Sequence, residues 1–180
     1  MTHPSIGLLD RYQEYRVRRW QEREQKTAGM LPGWRTRARR RTLVIVVAAA
    51  IITMFVIGLL CVFDLRWLPV ALIPVALGFI PAWGILRITL DSHDNAPDQA
   101  LDEMEIEQRN TARSMGLAVT QGLTVIPVFY LILIGAFLPD ADAFRTAYAG
   151  GTMALAALLA GGCTPGMILA WTRPDPDPEP

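Results

Sequence analysis

Long apolar runs separated by short polar stretches dominate the chain beyond its N-terminal segment. Four such runs cover residues 43–63, 67–88, 116–138 and 146–171. Each reaches or exceeds the roughly 20 apolar residues that a helix needs to cross about 30 Å of hydrocarbon. The pattern predicts an all-α integral membrane protein, folded as a bundle of four transmembrane helices.

The first run begins only after about 40 largely polar residues. A cleaved secretory signal would instead place a short apolar stretch close to the start of the chain. We therefore expect the first span to remain in the mature protein. The composition agrees with a membrane location, because 52% of the 180 residues are hydrophobic and the mean hydropathy is +0.28.

Residues 5–26 have a helical pattern with an aromatic face and a basic face. Leu9, Tyr12 and Trp20 share one face, and arginines occupy much of the remainder. Such a helix can lie along the inner leaflet with its rings among the headgroups, pack on a partner protein, or simply be solvated. The segment predicts a cytoplasmic N-terminal amphipathic helix.

Five arginines follow this helix and directly precede the first span. Arginines near a membrane surface attract anionic lipids by about 1 kcal/mol each. Together with Tyr12 and Trp20 they are the candidate residues for binding lipid or a partner. Nucleic acid is the other use of such a cluster, but the adjacent membrane is a sufficient reason for it, so we expect no nucleic acid partner. The five residues are Arg35, Arg37, Arg39, Arg40 and Arg41.

Basic residues are distributed unevenly between the two sides of the predicted membrane. Positive charge close to a span tends to stay in the cytoplasm, which places the N-terminus inside. Four crossings return the C-terminus to the same side, and only Arg66 and Arg145 of the 17 basic residues then lie outside. The arginine, alanine, proline and glycine content is typical of a GC-rich bacterial genome. We therefore expect a bacterial plasma membrane protein with both termini in the cytoplasm.

The polar segment between the second and third runs is acidic. Residues 91–115 carry a net charge of −5, whereas residues 1–41 carry +7. The acids lie in the N-terminal half of the segment, as the helix dipole prefers, and nothing except one glycine separates the segment from the third run. We expect a cytoplasmic acidic helix that continues into the third span, and we hypothesise that it docks on the N-terminal helix. Its defining residues are Asp102, Glu103, Glu105 and Arg109.

Part of this segment resembles the D-E-R-E-I-x-x-R-x-x-A pattern that precedes a span in small uncharacterised bacterial membrane proteins. The likeness covers about a dozen residues, and Met104 stands where the pattern has arginine. The resemblance implies four spans or a similar architecture, and no established activity. The residues that carry it are Asp102, Glu103, Glu105, Ile106, Arg109 and Ala112.

Few residues are candidates for metal binding or catalysis. His93 stands between Asp91 and Asp94, but one loop does not provide the convergent geometry of a metal site. We therefore expect no metal, no cofactor and no catalytic residue. No acid or base falls in the central part of a run, and we expect Gln121 to lie close to the inner interface, which disfavours a proton-coupled transporter.

Small residues fill the fourth run. Gly162 and Gly166 have GxxxG spacing, and Ala156 and Ala160 repeat it. Such spacing allows two helices to approach closely. We expect these four residues to pack inside the bundle or in a homodimer.

Prolines in the second, third and fourth runs predict bent helices.

These predictions favour a non-enzymatic scaffold or accessory subunit, because the charged surface lies in the cytoplasm and no catalytic cluster is evident. The alternative is a component of a small-solute or ion transporter, in which the bent helices form a path. The predicted segments are 1–41 (cytoplasmic and basic), 42–90 (first transmembrane hairpin), 91–115 (cytoplasmic acidic helix), 116–171 (second transmembrane hairpin) and 172–180 (disordered acidic tail).

Overall fold

The computed structural model of the chain describes Tyr15, Arg18 and residues 31–34, 36–63, 67–90 and 103–173. Four long α-helices dominate these residues, and no strand occurs among them. Short 3-10 turns cover Pro32–Trp34 and Cys61–Phe63. The helices are α1 (Arg37–Leu60), α2 (Leu68–Thr89), α3 (Glu103–Phe137) and α4 (Ala143–Thr172).

All four helices are long and apolar enough to cross a membrane. The mean hydropathy of their most apolar 18-residue windows runs from 1.8 to 3.1. The prediction of four apolar spans from run length is confirmed. The qualifying stretches are Arg37–Phe63, Pro69–Thr89, Glu103–Phe137 and Ala143–Thr172.

Several predicted features lie outside the described residues. The N-terminal amphipathic helix is one, because only Tyr15 and Arg18 of it are described. The loop around His93 and the docking of the acidic helix on the N-terminal helix are two others. The predicted tail starts too early at residue 172, since Thr172 ends α4 and Arg173 caps it. The remaining undescribed candidates are Tyr12, Trp20, Arg35 and Asp102.

Helix α3 joins the acidic segment to the third apolar run without a break. Its 35 residues span about 52 Å at 1.5 Å per residue. The predicted continuation of the polar helix into the third span is confirmed from Glu103 onward. The boundary expected at Gly116 therefore falls inside one helix, because Gly116 is buried against α4 and this packing offsets the weak helix propensity of glycine.

The helices lie in the order α2, α1, α4, α3. Helix α4 packs closely on α1 and on α3, α1 also packs on α2, and α2 touches α4 only sparsely. Within the described ranges α2 and α3 form no comparable interface. The arrangement is thus a row with α1 and α4 at its centre, rather than a bundle with four equivalent interfaces.

Small side chains explain why α1 and α4 occupy the centre. A Cβ atom added at Gly58 of α1 would lie 2.7 Å from Cγ of Met153 and 3.0 Å from its backbone nitrogen. Ala149, Ala156 and Ala157 of α4 are buried. Dispersion between closely packed helices therefore holds this centre together, as in other membrane bundles.

The apolar core lies where α1, α2 and α4 meet. Val47 and Leu86 are fully buried in it, beside Cys163 of α4. Cys61 lies in a separate cluster with Ile57 and Ala149. Both thiols are free and buried.

Candidate interaction face at the arginine-rich end

Four helix segments meet at one end of the row: the start of α1, the end of α2, the end of α4 and the part of α3 around Gln108. We call this the arginine-rich end, because each helix contributes at least one arginine to it. These arginines are Arg37, Arg39, Arg40 and Arg41 of α1, Arg87 of α2, Arg109 and Arg113 of α3, and Arg173 after α4.

Arg40 is the most enclosed of these arginines, with 2% of its surface exposed. Its Nη2 donates a hydrogen bond to the backbone carbonyl of Arg173 at 3.0 Å. Arg173 in turn donates from Nη1 to the carbonyl of Leu90 at 3.3 Å. These bonds satisfy carbonyls at the ends of α4 and α2 that have no partner within their own helices.

The predicted lipid-binding role of Arg40 is therefore corrected. A guanidinium that is buried between helices and bonded to a helix end cannot reach a lipid headgroup. The hydrogen bond to Arg173 offsets part of the cost of burying this charge. Arg40 joins the start of α1 to the end of α4, and Arg173 joins the end of α4 to the end of α2.

Of the neighbouring arginines, Arg39 is exposed and Arg41 is half-buried. Arg39 donates to the carbonyl of Gly33 and lies over the Trp34 ring at 5.6 Å. Arg41 lies over the ring of Trp171 at 4.7 Å from its centroid, and Arg37 is exposed. Cation–π contacts of this kind orient a guanidinium without covering it. Arg37, Arg39 and Arg41 are thus the described members of the predicted lipid-binding set that face outward.

Helix α3 is attached to α4 at the same level. Nε2 of Gln108 donates to the hydroxyl oxygen of Thr172 at 3.3 Å. The adjacent Arg109 is only 4% exposed, so it belongs to the packed part of α3 rather than to the free surface of an acidic helix. The sequence predicted Arg109 as one of the defining residues of the acidic helix, and the structure buries it.

The acids of α3 lie just beyond this attachment point. Glu103, Glu105 and Glu107 are exposed, and Glu103 is five residues before Gln108. At 1.5 Å per residue, the helix therefore extends about 8 Å past the Gln108–Thr172 contact. The exposed acids of α3 thus lie just beyond the arginine-rich end.

Aromatic side chains, rather than arginines, are prominent at the opposite end of the row. Phe63, Trp67 and Phe144 are strongly exposed there, and Phe144 stacks on Tyr148 with ring centroids 6.1 Å apart. Exposed rings at the end of a span match the aromatic belt of a membrane interface. The Asp142 carboxylate caps α4 by accepting from the backbone N–H of Arg145 at 2.7 Å.

A shallow cleft of about 400 Å³ lies at this opposite end, between the end of α1 and the connection from α3 to α4. Tyr130, Asp140 and Arg145 give it polar groups. Among the described residues no group of three or more His, Cys, Asp or Glu side chains could hold a metal ion.

Three of the four small residues predicted to pack closely do so in the structure, and Gly162 does not. A Cβ atom at Gly166 would lie 2.9 Å from Cη2 of Trp83, and Ala156 is 1% exposed. Ala160 packs against the main core. Gly162 has no atom within 4 Å of an added Cβ, so it takes no part in packing within the monomer. The close contact between α3 and α4 uses the adjacent Gly161, which faces Gly116 and Thr120.

Gln121 lies on the exposed face of α3, well along the helix from the arginine-rich end. It is 13 residues beyond Gln108 and 16 residues before Phe137, or about 20 Å and 24 Å along the helix. Its neighbour Thr120 lies against Gly161, well inside α4. Gln121 is exposed, and its amide makes no hydrogen bond with a described residue. The part of α3 that packs on α4 begins near Gln108, and the position of Gln121 at the inner interface stays a prediction.

No protein-family model, no curated protein and no solved structure matches this chain. The functional inferences therefore depend on the geometry and chemistry of the residues described above.

Proposed function

We propose that the chain is a non-enzymatic multi-pass membrane protein that acts as a scaffold or accessory subunit through its cytoplasmic charged segments. The observation that carries the proposal is the continuity of α3. The helix that packs on α4 also bears the exposed acids Glu103, Glu105 and Glu107. A protein bound to those acids would be held at a fixed distance from the membrane.

The arginine-rich end faces the cytoplasm of a bacterium in this proposal. Fifteen of the 17 basic residues lie on that side when both termini do, which is the bias that orients plasma membrane proteins. Arg37, Arg39 and Arg41 then face the anionic headgroups of the inner leaflet. Each such contact is worth about 1 kcal/mol near the surface.

The partner should present a basic surface to α3. Glu103 and Glu107 are one helical turn apart, so both can meet the same partner patch. Attraction between exposed charges is screened beyond about 8 Å at physiological salt. The complex should therefore form at low salt and weaken as salt rises.

Affinity purification of the tagged full-length chain from membranes in mild detergent tests this function. Glu103→Lys and Glu107→Lys should each reduce the recovery of a specific partner and remove its salt dependence. Asp140→Lys is the matched control, because it makes the same charge change on an exposed residue at the opposite end. Equal recovery with all three variants would contradict the proposal.

A flux measurement separates this function from the transporter alternative. The purified chain in liposomes should show no more solute or ion flux than empty liposomes. Flux that depends on the chain alone would favour a transporter component and would count against the scaffold.

A further inference from the structure

Gln121 presents an unusual combination of depth and exposure. In the proposed membrane placement, it lies within the hydrocarbon and faces away from α4, with no hydrogen bond to a described residue. Lipid tails offer neither donors nor acceptors, so a polar side chain in this position favours contact with another helix. The side-chain amide has both donors and an acceptor, so two copies of it can bond to each other.

The residues around Gln121 form a continuous stripe along the outward face of α3. Their spacing alternates between four and three residues, which is the period of a left-handed coiled coil. All of them are exposed, with Val125 at 50% and Ile132 at 59%. We call this stripe the α3 seam: Ser114, Ala118, Gln121, Val125, Val128, Ile132 and Gly135.

The side chains of the α3 seam suit a close helix pair. Ser114, Ala118 and Gly135 are small, and a Cβ at Gly135 would meet no atom within 4 Å. Val125 and Ile132 are β-branched and lie seven residues apart, and β-branched residues are preferred at one of the two repeating core positions of two-stranded coiled coils. A single polar residue in such a seam aligns the two helices in one register, as asparagine does in soluble coiled coils.

We infer that α3 is the interface of a parallel homodimer, in which Gln121 of one copy hydrogen-bonds Gln121 of the other. All copies of a membrane protein share one orientation in the bilayer, so a two-fold axis along the membrane normal brings the two seams together. The inference depends on the proposed membrane placement but not on the proposed partner. In a dimer of this kind, the acids of both α3 helices lie on the same side of the membrane.

Cysteine crosslinking in native membranes tests the seam. Gln121→Cys, Val125→Cys and Ile132→Cys should each give a disulfide-linked dimer on mild oxidation. Ile126→Cys and Leu133→Cys are the matched controls, because each adjoins a seam residue and is similarly exposed, at 44% and 50%, but points about 100° away. The native chain is the background control, since both of its cysteines are buried.

Crosslinking at the seam positions but not at the controls would support the homodimer. No crosslink at Gln121, Val125 or Ile132, or equal crosslinking at Ile126, would overturn it. In either case, the partner recovery described above is a separate measurement, so failure of the dimer is distinguishable from failure of the scaffold function.

The role of the amide needs a second measurement. Gln121→Leu should weaken dimerisation in detergent or liposomes by about threefold to thirtyfold, the range expected for one interhelical hydrogen bond. Gln121→Asn keeps the amide and should retain more of the dimer than Gln121→Leu. An unchanged dissociation constant for Gln121→Leu would overturn the proposed Gln121 pair.

Discussion

The Arg40 guanidinium and the Arg173 backbone carbonyl are joined by a 3.0 Å hydrogen bond across 133 positions of the chain. The bond connects the first turn of α1 to the cap of α4, and Arg173 continues the connection to Leu90 after α2. The enclosed Arg40 side chain therefore joins two helix ends, and the Arg173 side chain joins the third. The geometry explains how a positive charge can be buried there and still stabilise the fold.

Arg40→Met should reduce the stability of the protein by about 1–3 kcal/mol, because it removes a charged donor from the partly buried carbonyl of Arg173. Thermal unfolding in mild detergent measures the change. Arg37→Met removes the same charge from an exposed residue three positions earlier and should change stability by much less. Similar losses for both variants would show that charge alone, rather than the bond to Arg173, explains the effect.

Gly161 and Gly162 should respond in opposite ways to a methyl group. Gly161→Ala forces a Cβ against the Thr120 hydroxyl and within 2.6 Å of the Gly116 carbonyl oxygen, and such overpacking costs about 1–3 kcal/mol. Gly162→Ala meets no atom and should stabilise α4 by up to about 1 kcal/mol through helix propensity. Unfolding temperatures of the two variants make the comparison.

Thr120→Ala provides the control for the Gly161 effect. It removes the Thr120 hydroxyl but not the Gly116 carbonyl, so it should restore part of the stability that Gly161→Ala loses. A double-mutant cycle with no coupling between the two positions would contradict the contact between them.

The sequence predicts the spans better than the contacts between them. Apolar run length depends only on the thickness of the hydrocarbon, so four spans could be recognised without any knowledge of packing. Whether Gly161 or Gly162 contacts α3 depends on the rotation of α4 about its own axis. GxxxG spacing does not predict that rotation.

The burial of one arginine in the cluster could not be predicted from the sequence either. Five closely spaced arginines next to a span were expected to act alike, and a sequence contains no signal that one of them is enclosed. Burial of Arg40 results from the meeting of α1, α2 and α4, which lie far apart along the chain. The net attraction of this end for anionic lipid remains a prediction from charge.

Anionic lipid should stabilise the protein through Arg41 rather than Arg40. Phosphatidylglycerol added to the detergent-purified chain should raise its unfolding temperature more than phosphatidylcholine does, and Arg41→Gln should diminish that difference. Arg40→Met should lower the starting unfolding temperature but preserve the difference, because Arg40 is enclosed. A lost lipid effect in Arg40→Met with a normal effect in Arg41→Gln would contradict this assignment.

The sidedness of the chain can be measured with one cysteine at each end of the row. Thr36 is exposed before α1, and Asp140 is exposed between α3 and α4. A membrane-impermeant thiol reagent applied to intact bacterial cells should label Asp140→Cys at once and Thr36→Cys only after permeabilisation. The native cysteines are buried and should give little background. Labelling of Thr36→Cys in intact cells would reverse the proposed orientation and remove the cytoplasmic location of the acidic surface on α3.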